Sequence, residues 1–173
     1  MKKIFISIVL VSLCSSQSPE IRKYNQDVKT SFGKEKVDAI NNLVFYRGDQ
    51  PEFHDENRRL ILESLSLADS LKYAEGRVDS WLGMSSLYSD IDSIKKYVEK
   101  ADLVSDAIGY KRGIAEVLRK YALLALKKKE YVTSLEKAKK AESIYKTINS
   151  ETNFFFIGRQ AATLNQISNI HVL

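Results

Sequence analysis

Residues able to carry acid–base or metal chemistry are few and scattered. The two histidines, His54 and His171, lie in a polar loop and at the C-terminus, too far apart in sequence to read as a pair, and both read as surface residues. Cys14 is the sole cysteine, which excludes a disulfide or a thiolate metal cluster built from this chain. Asp90 and Asp92 stand where a tight turn enters a helix, and capping of that helix explains them better than acid–base work. There is no glycine-rich phosphate loop, no GxSxG and no HExxH. The chain reads as a non-enzyme that needs no cofactor and no metal. What remains is cationic: Arg119, Lys127 and Arg159, each on a segment with helical patterning, could form a ladder that receives carboxylates or an extended acidic peptide.

The elements that would hold such a ladder are helices. The 173 residues contain two prolines and seven glycines, few for a chain rich in turns. Hydrophobic residues make up 44% and charged residues 28%, an ordinary balance for a packed domain. "SLSLADSLKYAEGRV" (64–78) returns as "ADLVSDAIGYKRGIA" (101–115), with Gly76 and Gly113 in register at an offset of 37. In the helix that follows each glycine, Trp81, Met84, Ser85 and Tyr88 match Leu118, Tyr121, Ala122 and Ala125, four positions on one helical face. The partner helices match at an offset of 40, Ile94, Val98 and Ala101 against Ser134, Ala138 and Ala141. Asn153 then takes the place of Gly113 as a helix-ending residue.

This period predicts helix pairs over about 34–74, 77–108 and 114–148, with a last helix at 154–170. The loop "DQPEFHDE" interrupts the first pair at Pro51, and Asp55 or Asn57 is placed to cap the helix after it. Pairs repeating every 34 to 40 residues imply an all-α fold, a right-handed α-solenoid of about three and a half repeats in which each unit buries its face against its neighbours. The working surface of such a stack is its concave face, lined by the first helix of each pair. A turn away from the packing stripe, that face collects Asp79, Leu82 and Ser86; then Glu116, Arg119, Leu123 and Lys127; then Phe156 and Arg159.

The N-terminus is a separate matter. "MKKIFISIVLVSLCSS" has two lysines, an apolar run from Ile4 to Leu13 and a small-residue exit, the layout of a secretory signal peptide over residues 1–16. Residues 17–33 are polar without clear periodicity and read as a linker. Export would place the protein in the periplasm or at the cell envelope. Cys14 stands where bacterial lipoproteins carry the lipidated cysteine, so it is a candidate membrane anchor, although Leu13 departs from the small residue expected before it. Removing residues 1–16 takes away Lys2 and Lys3 and lowers the net charge from +5 to +3, too mild to imply nucleic acid as a partner.

Leu118, Tyr121, Ala122 and Ala125 with Ser134, Ala138 and Ala141 resemble a tetratricopeptide repeat, and Trp81, Met84, Ser85 and Tyr88 match a second copy. The longer unit, with its "GYKRGIA" turn, is similar to the variant in extracytoplasmic sensor regions of bacterial histidine kinases and helix-turn-helix regulators. The resemblance covers residues 34 to 173. It implies a protein- or peptide-binding module, exported, serving as the sensing or scaffolding part of a bacterial signalling system. The chain stops at Leu173, after the first helix of a fourth pair. A truncated sensor fragment is therefore the second reading, and a lipid-anchored envelope assembly factor the third.

Overall fold

The structure, a computed structural model, describes residues 19–48 and 50–148 and the isolated positions 165 and 168. The residues expected as a signal peptide, Cys14 within it, and the expected helix 154–170 with Phe156 and Arg159 lie outside the described residues.

The described residues are all helical in character, with no strand among them. The helices are α1 (Pro19–Thr30), α2 (Gly33–Arg47), α3 (His54–Ser70), α4 (Ala74–Ser85), α5 (Ile91–Ala107), α6 (Lys111–Lys127) and α7 (Tyr131–Thr147). Each packs on the next. In addition α2 packs on α4, and α4 on α6. The even-numbered helices therefore line up side by side, with α3 and α5 lying outside them.

Helix α1 corrects the expected linker over 17–33. Its sequence is polar, but Ile21, Tyr24 and Val28 recur at helical spacing and pack against the cluster of Ile40, Leu43, Val44, Leu60 and Ile61. Three apolar positions are enough because α2 supplies the opposing surface. Arg47 fixes this end further. It is 2% exposed, donates to Asn25 Oδ1 at 3.1 Å and pairs with Glu56 at 3.0 Å.

The entry to α3 also differs from expectation. Pro51 opens a short 3-10 turn, Pro51–Phe53, which is compatible with its missing N–H. Neither Asp55 nor Asn57 caps α3. Asn57 is buried instead, and its Oδ1 accepts from Arg47 NH1 at 3.4 Å. Asp90 does cap its helix, accepting from the Ser93 N–H at 2.7 Å at the start of α5.

The period of 37 has a physical basis in the turns. At the end of α3, Tyr73 N–H donates to Ala68 O and Lys72 N–H to Asp69 O. At the end of α5, Tyr110 N–H donates to Ser105 O and Gly109 N–H to Asp106 O. Both are Schellman closures with a left-handed residue, Lys72 (φ 50°) or Gly109 (φ 65°). Gly76 and Gly113 are therefore not the turn residues. They lie inside the first turn of α4 and α6, where a side chain would collide. A Cβ on Gly113 would sit 2.6 Å from Tyr110 Cδ1 and 2.8 Å from Val78 Cγ1. At Gly76 the equivalents are Tyr73 Cδ1 and Val37 Cγ1, both at 2.5 Å.

Each expected partner stripe is buried: Ile94, Val98 and Ala101 on α5, and Ser134, Ala138 and Ala141 on α7. Small residues facing Ala122 and Ala125 bring α7 close enough to α6 for Ser134 Oγ to donate to the Ala122 carbonyl at 2.7 Å. A Gly→Ala change inside an exposed helix normally gains up to about 1 kcal/mol. Gly113→Ala is expected to destabilise instead, by about 1–3 kcal/mol, because the methyl has nowhere to go. Urea unfolding followed by circular dichroism reads this directly, and an unchanged or raised midpoint would refute the close-approach account.

Candidate functional site

Because α2, α4 and α6 lie side by side, their shared face forms a groove of about 700 Å3. All seven described residues expected on the concave face line it: Asp79, Leu82 and Ser86 from α4 and its end, and Glu116, Arg119, Leu123 and Lys127 from α6. They are not equally open. Leu82 is 6% exposed and Glu116 4%, since the inner helices are covered on two sides. Lys127 is exposed, and Leu123 is half-buried.

One end of the groove is occupied by charges that pair within the chain. Tyr110 OH donates to Asp79 Oδ2 at 3.0 Å, and Arg112 NH2 lies 3.6 Å from the same oxygen. Arg119 holds Glu116 Oε2 through Nε at 3.2 Å and NH2 at 3.1 Å, while Tyr145 OH donates to Glu116 Oε1 at 2.6 Å. Burial raises the Asp79 carboxyl above its ordinary value, against the opposing pull of Arg112 and Tyr110. Burial also disfavours the Arg119 charge, but Glu116 and Tyr145 together outweigh it and hold the guanidinium above its ordinary value. Tyr73 repeats the device upstream, donating to Asp38 Oδ1 at 2.9 Å. Burial raises that carboxyl too.

The other end is differently built. Lys120 Nζ donates to Ser86 Oγ at 2.7 Å, and Lys127 Nζ lies 3.5 Å from the Ser89 carbonyl oxygen. Ser86 and Lys120 resemble a nucleophile and its base. However, Ser86 is the C-cap of α4, where the nearby backbone groups of that helix are carbonyls. A developing oxyanion needs N–H donors, and a helix C-terminus offers the opposite polarity. His54 also lines the groove. Among the described residues no three His, Cys, Asp or Glu side chains are grouped to hold a metal ion.

The structure thus separates two members of the expected basic ladder. Arg119 is committed to Glu116, whereas Lys127 stands at the open end. Sequence reasoning missed Tyr110, Arg112, Lys120 and Tyr145. Lys120 was within reach, being four residues after Glu116 and so on the same helical face. Tyr110 and Tyr73 were signalled by their shared place before the glycines, and their acceptors by the dipeptide Val-Asp at 37–38 and again at 78–79.

Compared with the profiles of known protein families and with curated proteins, the chain finds no match.

The raised Asp79 carboxyl sets a pH dependence. The unfolded chain releases this proton near pH 4, but the folded chain keeps it to higher pH. Between those values the folded state binds more protons, so stability falls as pH rises. The favourable contribution is complete below the unfolded value and is lost as pH passes the folded one. Asp79→Asn removes the titration. Relative to that variant, the wild type is expected to lose stability from pH 4 to pH 7 in urea unfolding. A wild type that gains stability on the variant over this range would contradict the assignment.

Proposed function

We propose that this chain is an exported, non-catalytic helical-repeat protein of the tetratricopeptide type, which holds a segment of another protein in the groove between α4 and α6. Its role would be the sensing or scaffolding part of a bacterial signalling system. Support for the repeat reading comes from the packing order, in which each helix packs on the next and the inner helices α2, α4 and α6 adjoin. The recurrence of one turn, one tyrosine and one close-approach glycine at an interval of 37 points the same way.

The observation that carries the binding reading is the groove itself. It is concave, about 700 Å3, and combines Leu82 and Leu123 with charged and hydroxyl groups. Apolar walls with a few placed polar groups are what a peptide side chain and backbone require. Ser86, the hydroxyl that Lys120 contacts, stands at a helix C-terminus with no oxyanion site beside it, which is the support for a non-catalytic role.

Export rests on the layout of residues 1–16. Among the described residues no helix is long and apolar enough to cross a membrane.

The test is fluorescence polarisation of the protein against a positional library of labelled ten-residue peptides. A subset is expected to bind, and Leu123→Glu is expected to abolish that binding while leaving the helical circular dichroism unchanged. Peptides that bind equally well to the Leu123→Glu protein, or no binding by any member at millimolar protein, would reject the groove as the site. N-terminal sequencing of the protein recovered from cells tests export. A start at Met1 would overturn it.

A further inference from the structure

Tyr73, Tyr110, Tyr121 and Tyr145 each donate a hydroxyl to a carboxylate, on Asp38, Asp79, Asp102 and Glu116 respectively. Tyr88, in the turn between α4 and α5, is bonded the opposite way. Its oxygen accepts from Arg58 NH1 of α3 at 3.1 Å, in an exposed position. The ring of Tyr97 on α5 stacks on that of Tyr88, with centroids 5.6 Å apart and planes 17° from parallel. The two hydroxyls meet, with Tyr97 bonded to Tyr88. Both residues are half-buried, so a small solute can reach the ring edges.

A phenol gives up an electron most readily as its phenolate. Arg58 first, and then the Tyr97 hydroxyl, hold the Tyr88 phenol below its ordinary value. Cations also stand over both rings, Arg58 at 5.3 Å from the Tyr88 centroid and Lys96 and Lys100 each at 5.8 Å from that of Tyr97. They oppose a radical cation, so the proton has to leave before the electron or with it. Tyr24 and Tyr46 supply the contrast. Their centroids are closer, at 4.8 Å, with planes at 33°. There burial first, and then Tyr46, push the Tyr24 phenol up to about 12, and both rings pack against the cluster of Ile40, Leu43 and Ile61. Of the two pairs, the one at Tyr88 forms its phenolate more easily and presents it to solvent.

We propose that Tyr88 and Tyr97 are a site of oxidative modification, at which hydrogen peroxide acting through a haem peroxidase joins the two rings by a carbon–carbon bond. Each phenol loses one electron and its hydroxyl proton and becomes a phenoxyl radical. The radicals combine at ring carbons ortho to their oxygens. Each of those carbons then releases its hydrogen as a proton, and each oxygen takes one back. The two electrons and two protons removed overall reduce hydrogen peroxide to two molecules of water. Because the fold already holds the rings together, coupling occurs within one chain rather than between chains. The link would fasten the turn between α4 and α5 to α5 itself, and with it the Ser89 carbonyl that Lys127 contacts. It does not depend on what the groove binds.

The full-length protein, treated with hydrogen peroxide and a haem peroxidase, is followed by dityrosine fluorescence and then digested for mass spectrometry of linked peptides. The expected product is a monomer lighter by two hydrogens, with Tyr88 joined to Tyr97, in a yield that dilution of the protein does not lower. Tyr97→Phe keeps the ring and removes the phenol, so it should lose the link, whereas Tyr24→Phe should keep it. Arg58→Met should slow coupling severalfold at neutral pH and move its pH profile upward, a shift that a merely structural role for Arg58 would not produce. Circular dichroism of each variant checks that the helices are intact. Absence of the link in the wild type would overturn the inference. So would a link mapped to Tyr24 and Tyr46, one that survives Tyr97→Phe, one found only in dimers, or a pH profile unmoved by Arg58→Met. Failure of peptide binding while the link forms rejects only the reading of the groove, and the reverse result rejects only this one.

Discussion

Tyr110 seated against Gly113 is the contact on which the groove depends. Its ring occupies the space that any side chain at 113 would fill, and its hydroxyl reaches Asp79 on the preceding inner helix at 3.0 Å. One residue thereby closes α5 through its backbone N–H, starts α6, and ties α6 to α4 through a buried carboxylate. Tyr73 does the same between α3, α4 and α2, with Gly76 and Asp38. Removing the small residue or the acid would leave the tyrosine without its seat or its partner. The inner helices would then lose the spacing that gives the groove its width.

Burying acids in this way is costly. A carboxylate removed from water is penalised, and a paired cation repays that only when its geometry is good. Asp79 and Glu116 each receive a tyrosine hydroxyl and an arginine. Such arrangements fix geometry more reliably than they add stability. Two arginines are thereby committed to the frame. The stability of the inner layer comes instead from the apolar residues behind it: Val78, Leu82, Ile94, Val98, Val117 and Leu124 form one continuous cluster. Beside it, Asn41 bonds both Ser80 and the Gly76 carbonyl, which satisfies polar groups where α2, α3 and α4 meet.

Much of the helical layout was legible because its signal is repeated. Apolar and small residues at spacings of three and four, recurring after 37 and 40 residues, specify which faces pack. What was not legible follows from physics that spacing alone does not carry. Helix α1 was read as linker since three apolar residues in twelve are a weak stripe on their own, and only the surface of α2 makes them sufficient. Gly76 and Gly113 read as turn residues because glycine often ends helices. Lys72 supplies the left-handed residue in the first repeat, with no glycine to mark it. Arg119 and Lys127 looked equivalent by type and face. Their difference is set by Glu116, three residues before Arg119, and by Tyr145 arriving from α7, a contact between helices that no local pattern encodes.

The two kinds of polar contact in the groove also divide it dynamically. The Tyr110–Asp79 and Tyr145–Glu116 contacts join different helices and are half-buried or buried, so breaking one means separating elements. Lys127 reaches its carbonyl from an exposed position in the last turn of α6, at 3.5 Å, near the limit of a hydrogen bond. Exchanging that contact for another acceptor moves one flexible side chain and no backbone. A frame that is rigid on one side and adjustable on the other suits recognition better than turnover. The rigid half sets the depth and direction of the groove, and the adjustable half can close on a ligand at the cost of one lysine's rotamer freedom, about 2 kcal/mol at most.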